Sequence, residues 1–193
     1  MAIYLLHTIA DFDLLLEEDT NSPPRTITPE TIDKSKPWAY FDESAQETGC
    51  GGGAILYLNE SHCYKIQINF GRGTNNYAEL CTAKHLIHFA LEKHCNHLQL
   101  FGDSKIICNW LNNASHFNAY SLRHILEEAQ RLISSFDSFV YRHIYREQNM
   151  GADQLSKEAA HIQGNDWLIQ EEIDGSYLQY YHIPFVELGQ IGL

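Results

Sequence analysis

The stretch GRGTNNYAEL (71–80) decides the fold of this chain, because it joins a strand pattern to a long helix pattern. After it, apolar residues recur every three to four positions from Leu80 to Leu91, which predicts a helix over about 76–95. Glu79 falls at the apolar beginning of this helix. A carboxylate at a buried helix edge is costly unless a charged group faces it, so the sequence poses the question of what Glu79 faces.

Three strand patterns precede the helix. They are WAYFD (38–42), GAILYLN (53–59) and CYKIQINF (63–70), and the third alternates apolar and polar residues. The segment ESAQETGCGGG, between the first two, is expected to be a turn that ends in glycines. We interpret GCGGG (49–53) as allowing that turn to approach a substrate backbone closely.

The patterns after the long helix alternate between strand and helix. They comprise a strand LQLFG (98–102), helices over 104–113 and 117–136, a strand SFVYRHIY (138–145) and a helix over 150–162. The predicted order is therefore βββ-α-β-α-α-β-α. This order predicts an α/β fold with a mixed five-stranded sheet, in which three antiparallel strands are followed by parallel additions, flanked by helices.

Two extensions surround this compact pattern, which occupies residues 37–162. Residues 1–36 contain a Pro-Pro pair in a polar run and are interpreted as an N-terminal extension or linker. Residues 163–193 form an acidic C-terminal extension with a turn expected at Asp174 and Gly175. The sequence leaves two alternatives open for this tail, which either adds a hairpin or docks on the core.

The charge is unevenly distributed along the chain. The net charge of −12 argues against a simple nucleic-acid binder. However, residues 1–36 contribute −4 (seven acids, three Lys/Arg) and residues 163–193 contribute −5 (five acids, no Lys/Arg). Residues 37–162 carry thirteen acids and ten Lys/Arg, a net charge of only −3. The charge balance therefore weakens a nucleic-acid function for the central segment without excluding it.

Cysteine usage and hydropathy predict the compartment. The five cysteines contain no CxxC pair, as is typical of free thiols in a reducing compartment. The first apolar stretch lacks a basic segment before it, and no apolar run is long enough to span a bilayer. We therefore expect an intracellular protein, nuclear or cytoplasmic, with no membrane association.

Four carboxylates fall at the ends of predicted elements. Asp42 ends the first strand, Asp103 ends the fourth, Glu79 lies near the first turn of the long helix and Asp153 lies in the first turn of the last helix. In an α/β sheet such ends gather at one edge. Taken singly, each acid is more often structural, either as a helix cap or as a partner of the helix dipole. Taken together they would repel one another, which favours divalent cations such as Mg²⁺ between them.

Four segments resemble the ribonuclease H family, in its archaeal-type or retroelement-type branch, which is also common in plants. They are FDES with its following glycines, GRGTNNYAEL, FGDS and HIYREQNMGADQLSKEA, and the resemblance covers about residues 37–162. It implies an endonuclease that hydrolyses the RNA strand of RNA–DNA hybrids. It also implies two bound Mg²⁺ ions, or Mn²⁺, held by the catalytic residues Asp42, Glu79, Asp103 and Asp153.

The same resemblance implies substrate contacts around the start of the long helix. Arg72 and Thr74 match a pocket for a DNA-strand phosphate, and Asn75 and Asn76 match residues that contact both strands in the minor groove. Short amides that both donate and accept hydrogen bonds suit the detection of a 2′-OH group. The alternative is that Asn75 or Asn76 only caps the helix.

Three features depart from the family pattern. Glu43 follows the first aspartate, where Gly or Ser is usual, and strand alternation leaves open whether its side chain points away from the metals or toward them. The auxiliary histidine that precedes the last acid in many members is matched by His143, unless His143 belongs to a strand and Arg146 takes this place. A basic protrusion after Asp103 has no evident equivalent, so a fused or partner polypeptide could supply grip on the DNA strand.

These observations favour an RNA–DNA hybrid nuclease that derives from a retrotransposon or is associated with a reverse transcriptase. The first alternative is a non-catalytic module of the same fold that binds nucleic acid or a protein partner. All four acids are present, which favours the enzyme. The second alternative, a nuclease for double-stranded RNA or branched DNA, is disfavoured by the TNN sequence at 74–76.

Overall fold

The computed structural model describes residues 32–46, 49–113, 119–162 and 167–182, so the predicted linker lies largely outside the described residues. Its strands are β1 (Trp38–Gln46), β2 (Gly49–Asn59), β3 (His62–Gly71), β4 (His97–Gly102), β5 (Ser138–His143), β6 (Trp167–Ile173) and β7 (Ser176–His182). Its α-helices are α1 (Asn75–Glu92), α2 (Lys105–Leu111), α3 (Arg123–Ile133) and α4 (Met150–Ala159). The predicted βββ-α-β-α-α-β-α order is confirmed over 38–159.

The strands form one sheet in the order β5-β4-β1-β2-β3-β6-β7. β1 pairs parallel with β4, and β4 pairs parallel with β5. The remaining neighbours are antiparallel. The α/β fold with a mixed sheet is therefore as predicted, but this sheet has seven strands rather than five.

Helices cover both faces of the sheet. α1 packs on β1 and β2 from one side and contacts α2 and α3, while α4 packs on β1, β2 and β3 from the other. The main core consists of buried residues between the sheet and these helices, including Phe41, Leu56, Leu80, Ile87 and Leu100. None of the helices in the described part of the chain combines the length and the apolar character needed to cross a bilayer.

The glycine-rich stretch has a different role from the predicted one. β1 extends to Gln46 and β2 begins at Gly49, so the glycines at 51–53 lie within a strand and not in a turn. A Cβ at Gly53 would lie 2.3 Å from the carbonyl oxygen of Ala152 in α4, whereas a Cβ at Gly52 would lie 2.3 Å from Oγ1 of Thr82 in α1. These glycines allow two helices, rather than a substrate, to approach β2 from opposite faces.

The C-terminal extension adds the two strands that sequence reasoning did not resolve. β6 and β7 form a hairpin around Asp174 and Gly175, both with positive φ, and β6 pairs antiparallel with β3 over His62–Ile68. The predicted turn at these two residues is therefore observed. Of the two alternatives for the tail, the structure contains the hairpin, so the sheet continues beyond residue 162.

Trp167 anchors this hairpin in the core. Its side chain is 2% exposed, and its ring packs edge-on against His85 and tilted against Phe89, both on α1. Glu171 adds polar contacts from β6, because it accepts a hydrogen bond from the Tyr64 hydroxyl at 2.6 Å and lies 2.8 Å from Nε2 of His62. The described part of the extension, residues 167–182, therefore belongs to the folded domain.

We expect Trp167→Ala to lower the free energy of unfolding by about 3–5 kcal/mol, because it removes a fully buried aromatic side chain between β6 and α1. Urea denaturation followed by circular dichroism measures this change. The matched control is Tyr177→Ala on β7, whose side chain is 71% exposed and whose loss should cost less than about 1 kcal/mol. Equal losses for the two variants would contradict the assigned packing.

Candidate active site

Three carboxylates meet at the edge of the sheet. Oxygens of Asp42, Glu79 and Asp103 all lie within 4.8 Å of one another. Asp42 and Glu79 are buried, at 5% and 4% exposure. One oxygen of Glu79, Oε1, is buried and has no hydrogen-bond partner. Within the described part of the chain, Glu79 therefore faces two other acids and no balancing cationic side chain.

Strand register brings Asp42 and Asp103 together. Tyr40 of β1 pairs with Phe101 of the parallel strand β4, and each aspartate follows two residues later. Asp103 follows the last residue of β4, as predicted, whereas Asp42 lies in the middle of β1 and not at its end, because β1 continues to Gln46. The two carboxylates still meet, since Asp42 lies just beyond the last residue of β1 that pairs with β4.

Glu79 reaches this edge from α1. The helix begins after Thr74, whose side chain accepts a hydrogen bond from the backbone N–H of Tyr77 at 3.2 Å. Asn75 is the first residue of α1, so Glu79 lies in the second turn and not in the first. Its neighbours Ala78 and Leu80 are fully buried, which fixes this face of the helix against the sheet.

The electrostatics of the three acids reflect burial and mutual repulsion. Burial, followed by the negative charge of Asp103, raises the pKa of Asp42 to about 8. Burial also raises the pKa of Glu79 well above its usual range, with added repulsion from Glu43, Asp42 and Asp103. The pKa of Asp103 is raised as well, chiefly by burial. The cluster therefore favours either protons or a cation among its oxygens.

Asp153 differs from these three acids because basic side chains contact both of its carboxylate oxygens. Its Oδ1 accepts a hydrogen bond from Arg146 at 3.2 Å, and its Oδ2 accepts one from Lys157 at 2.5 Å. Burial opposes ionisation of Asp153, but the bonds from Lys157 and Arg146 outweigh burial and lower its pKa. In the described part of the chain, the group of carboxylates close enough to share a cation contains three of the four predicted ligands.

Glu43 lies on the opposite face of β1 from Asp42, as strand alternation requires, yet it remains close to the site. It lines a cleft together with Asn75, Arg146 and Asp153. Burial, and then the negative charge of Asp103, raises the pKa of Glu43 to about 7. Glu43 therefore lies outside the group of three acids but near enough to feel the charge of Asp103.

The predicted substrate-binding residues lie on the loop and first turn before Glu79. Arg72, Thr74 and Asn75 are exposed, and Asn76 is partly buried. Thr74 supplies the side-chain cap of α1, so the alternative in which an asparagine performs this task is not what the structure shows. Asn75 opens onto the cleft that contains Glu43 and Asp153.

The two candidate auxiliary residues occupy different positions. His143 is the last residue of β5, and its Nε2 lies 2.9 Å from the backbone carbonyl oxygen of Asp103. Arg146 belongs to a short 3-10 turn over Arg146–Gln148 and contacts Asp153. His143 is therefore a strand residue at the margin of the site, and Arg146 is the basic group beside the last acid.

Two further residues of the site were missed by sequence reasoning. Asn149 donates a hydrogen bond from Nδ2 to the backbone carbonyl of Phe41 at 2.8 Å, which ties the start of α4 to β1 next to Asp42. Lys157 neutralises Asp153 from the next turn of α4. The i,i+4 spacing of Asp153 and Lys157 is a signal that could have identified this pair.

The sheet order and the clustered acids define a ribonuclease H-like domain, and comparison of the sequence with known proteins leads to the same family. A family described as "Reverse transcriptase-like" matches residues 41–159. Ribonuclease HI of Halobacterium salinarum is 33% identical over 157 residues, which cover 79% of this chain and 78% of the relative. The chain belongs to the ribonuclease H family of enzymes.

Solved structures share the fold. Ribonuclease H1 of the halophilic archaeon Halobacterium salinarum superposes with a TM-score of 0.61 at 28% identity, covering 64% of this chain and 96% of the relative. LC11 ribonuclease H1, crystallised in complex with an RNA/DNA hybrid, superposes with a TM-score of 0.56 at 21% identity, covering 65% and 96%. At 21% identity the second likeness shows the fold alone.

The raised pKa of Asp42 predicts how stability depends on pH when no cation is bound. The folded-state pKa of about 8 exceeds the ordinary value of 3.8, so ionisation of Asp42 opposes folding. The protonated Asp42 carboxyl therefore stabilises the folded state. This contribution to the free energy of unfolding is complete below about pH 4 and is lost as the pH rises through about 8. In the presence of a chelator, we expect the melting temperature to fall between about pH 5 and pH 8.5, measured by differential scanning fluorimetry.

Two isosteric variants are expected to shift the melting temperature in opposite directions, because the pKa of Asp42 is raised and that of Asp153 is lowered. Asp42→Asn should reduce that fall and raise the melting temperature at about pH 8, because it removes the ionisable group. Asp153→Asn should lower the melting temperature at the same pH, because its pKa is depressed by Lys157 and Arg146. A melting temperature that moves in the same direction for both variants would contradict this assignment.

Proposed function

We propose that this protein is an endonuclease that hydrolyses the RNA strand of RNA–DNA hybrids with the help of divalent cations. The observation that carries the proposal is the buried carboxylate of Glu79, which lies beside Asp42 and Asp103 and has one oxygen without a partner among the described residues, in a member of the ribonuclease H family. A purely structural acid cluster would leave this oxygen without a partner, at a cost of several kcal/mol.

The donor set fits hard divalent cations. Carboxylate oxygens without thiolate or imidazole ligands are the set that Mg²⁺ and Mn²⁺ accept, and the buried oxygen of Glu79 supplies a free lone pair. Asp42, Glu79 and Asp103 would hold the ions, with Asp153 as a fourth ligand of a two-ion site. Bound there, the ions would activate water and stabilise the negative charge that develops on the phosphate.

The surrounding residues would bind and orient the hybrid. Arg72 and Thr74 would hold a DNA-strand phosphate beside the exposed beginning of α1. Asn75 and Asn76 would contact the minor groove, where a 2′-OH marks the RNA strand. In the reaction, water attacks the phosphorus in line with the leaving 3′-oxygen, so the P–O3′ bond breaks and the RNA strand is cut.

Arg146 has a proposed role in the same step. It contacts Asp153 with an exposed guanidinium, 73% accessible, so a phosphate can approach it without rearrangement of the core. His143, held at the backbone of Asp103, would be the second candidate for an auxiliary group near the products.

The cellular setting that we propose is intracellular, in the nucleus or cytoplasm, and linked to reverse transcription. The family description "Reverse transcriptase-like" supports an origin from a retroelement, with a fused or associated reverse transcriptase as partner. All five cysteines are buried free thiols, which fits a reducing compartment. The alternative function is a non-catalytic module that binds nucleic acid or a protein partner through the same surface and hydrolyses nothing.

The decisive experiment is cleavage of a labelled RNA–DNA hybrid in Mg²⁺ or Mn²⁺. We expect the wild type to cut the RNA strand and Asp103→Asn to lose at least about 100-fold of this rate, because the variant removes a charged ligand. RNA–RNA and DNA–DNA duplexes of the same sequence are the substrate controls. An intact hybrid, or equal cutting by Asp103→Asn, would overturn the enzyme in favour of the binding module.

The strand-reading role of α1 has its own test. We expect the double variant Asn75→Ala/Asn76→Ala to bind the hybrid about tenfold more weakly, since two minor-groove hydrogen-bonding groups are lost. Fluorescence anisotropy in the Asp103→Asn background, in which cleavage is expected to be slow, measures this affinity. Asn112→Ala, an exposed asparagine at the end of α2, is the control. Unchanged hybrid affinity in the double variant would refute the assignment.

A further inference from the structure

Glu43 adds a fifth carboxylate whose position follows from the register of β1 and β2. Glu43 pairs with Gly52, and Asp42 pairs with Gly53. Paired residues of antiparallel strands direct their side chains to the same face of the sheet. Gly53 faces α4 and Gly52 faces α1, so Asp42 lies on the α4 face and Glu43 on the α1 face.

The α1 face is the one from which Glu79 enters the cluster. Glu43 is half-buried at this edge and lines the cleft that leads to Asn75, Arg146 and Asp153. Glu43 therefore stands between the buried trio of acids and the open cleft.

A second observation indicates that this region receives a ligand. Glu79 is 4% exposed, its Oε1 atom is buried without a hydrogen-bond partner among the described residues, and its carboxylate supplies one of the oxygens that lie within 4.8 Å of one another. Adding a further half-buried acid on the same face would make the repulsion worse unless a cation is shared.

We propose that Glu43 is a fifth carboxylate of the cation site, which strengthens divalent-cation binding from the cleft side of the sheet. This inference rests on the proposed function, because it requires that the acid cluster holds cations. Hydrated Mg²⁺ and Mn²⁺ retain several waters, so a carboxylate at the rim acts on the ion directly or through one water. Glu43 is thereby a residue that sets the cation concentration at which the protein is saturated.

Direct measurement of cation binding tests this role without any turnover. Isothermal titration calorimetry with Mn²⁺ should show affinity reduced about 3- to 10-fold in Glu43→Gln, the size expected for losing one charge a few ångström from a divalent ion in a wet cleft. The matched control is Glu127→Gln, which removes one exposed carboxylate from α3 and should change the affinity less than about 1.5-fold. Glu43→Asp should retain most of the wild-type affinity.

Thermal unfolding supplies a second readout with an opposite sign. In a chelator, Glu43→Gln should melt at a higher temperature than the wild type, because it relieves repulsion with Glu79 and Asp103. On addition of Mn²⁺, the same variant should gain fewer degrees than the wild type. A residue with a merely structural role would not raise one quantity while lowering the other, and a folded variant is demonstrated by the same experiment.

The outcomes distinguish this inference from the proposed function. If Asp103→Asn weakens Mn²⁺ binding while Glu43→Gln binds as tightly as Glu127→Gln, the role of Glu43 is refuted and the cation site remains. If the wild type binds no Mn²⁺, both the cation site and the role of Glu43 are refuted. If Glu43→Gln weakens Mn²⁺ binding and Glu127→Gln does not, the inference is supported.

Discussion

The burial of Glu79 beside Asp42 and Asp103 is the constraint around which this domain is arranged. Each acid is delivered by a different element: β1 and β4 through their parallel register, and α1 through a helix capped by Thr74. Packing of apolar neighbours holds these elements together against the repulsion of the carboxylates. The fold therefore spends part of its stability on keeping negative charges close, as is typical of functional sites.

Asp153 shows the opposite solution to the same electrostatic problem. Ion pairs with Arg146 and Lys157, which are close to it in sequence, neutralise its negative charge. The site thus has an inner group of acids whose charge the described side chains do not balance, and an outer acid, Asp153, that is balanced by Arg146 and Lys157. The cleft between them presents Asn75, Glu43 and Arg146, so groups that attract and repel a polyanion lie next to each other.

The sequence predicted the acids better than it predicted their surroundings. Asp103 was identifiable because the end of β4 is visible in the hydrophobic pattern. Asp42 was placed at a strand end although β1 continues to Gln46, and it joins Asp103 because β1 and β4 pair in parallel. The glycines at 51–53 were misassigned because composition alone does not show that helices approach β2 from both faces. The orientation of Glu43 followed from alternation, but its closeness to Glu79 depends on where α1 lies, which is a tertiary property.

The hairpin formed by β6 and β7 also determines where the domain can be cut. β3 pairs with β2 along one edge and with β6 along the other, so without β6 the backbone N–H and C=O groups on that second edge of His62–Ile68 would have no partner strand. Exposed strand edges of this kind template pairing between chains. A shorter version of the chain that ends at residue 162 would uncover that edge and the α1 surface now covered by Trp167, and it would therefore be prone to self-association at the concentrations used for biochemistry.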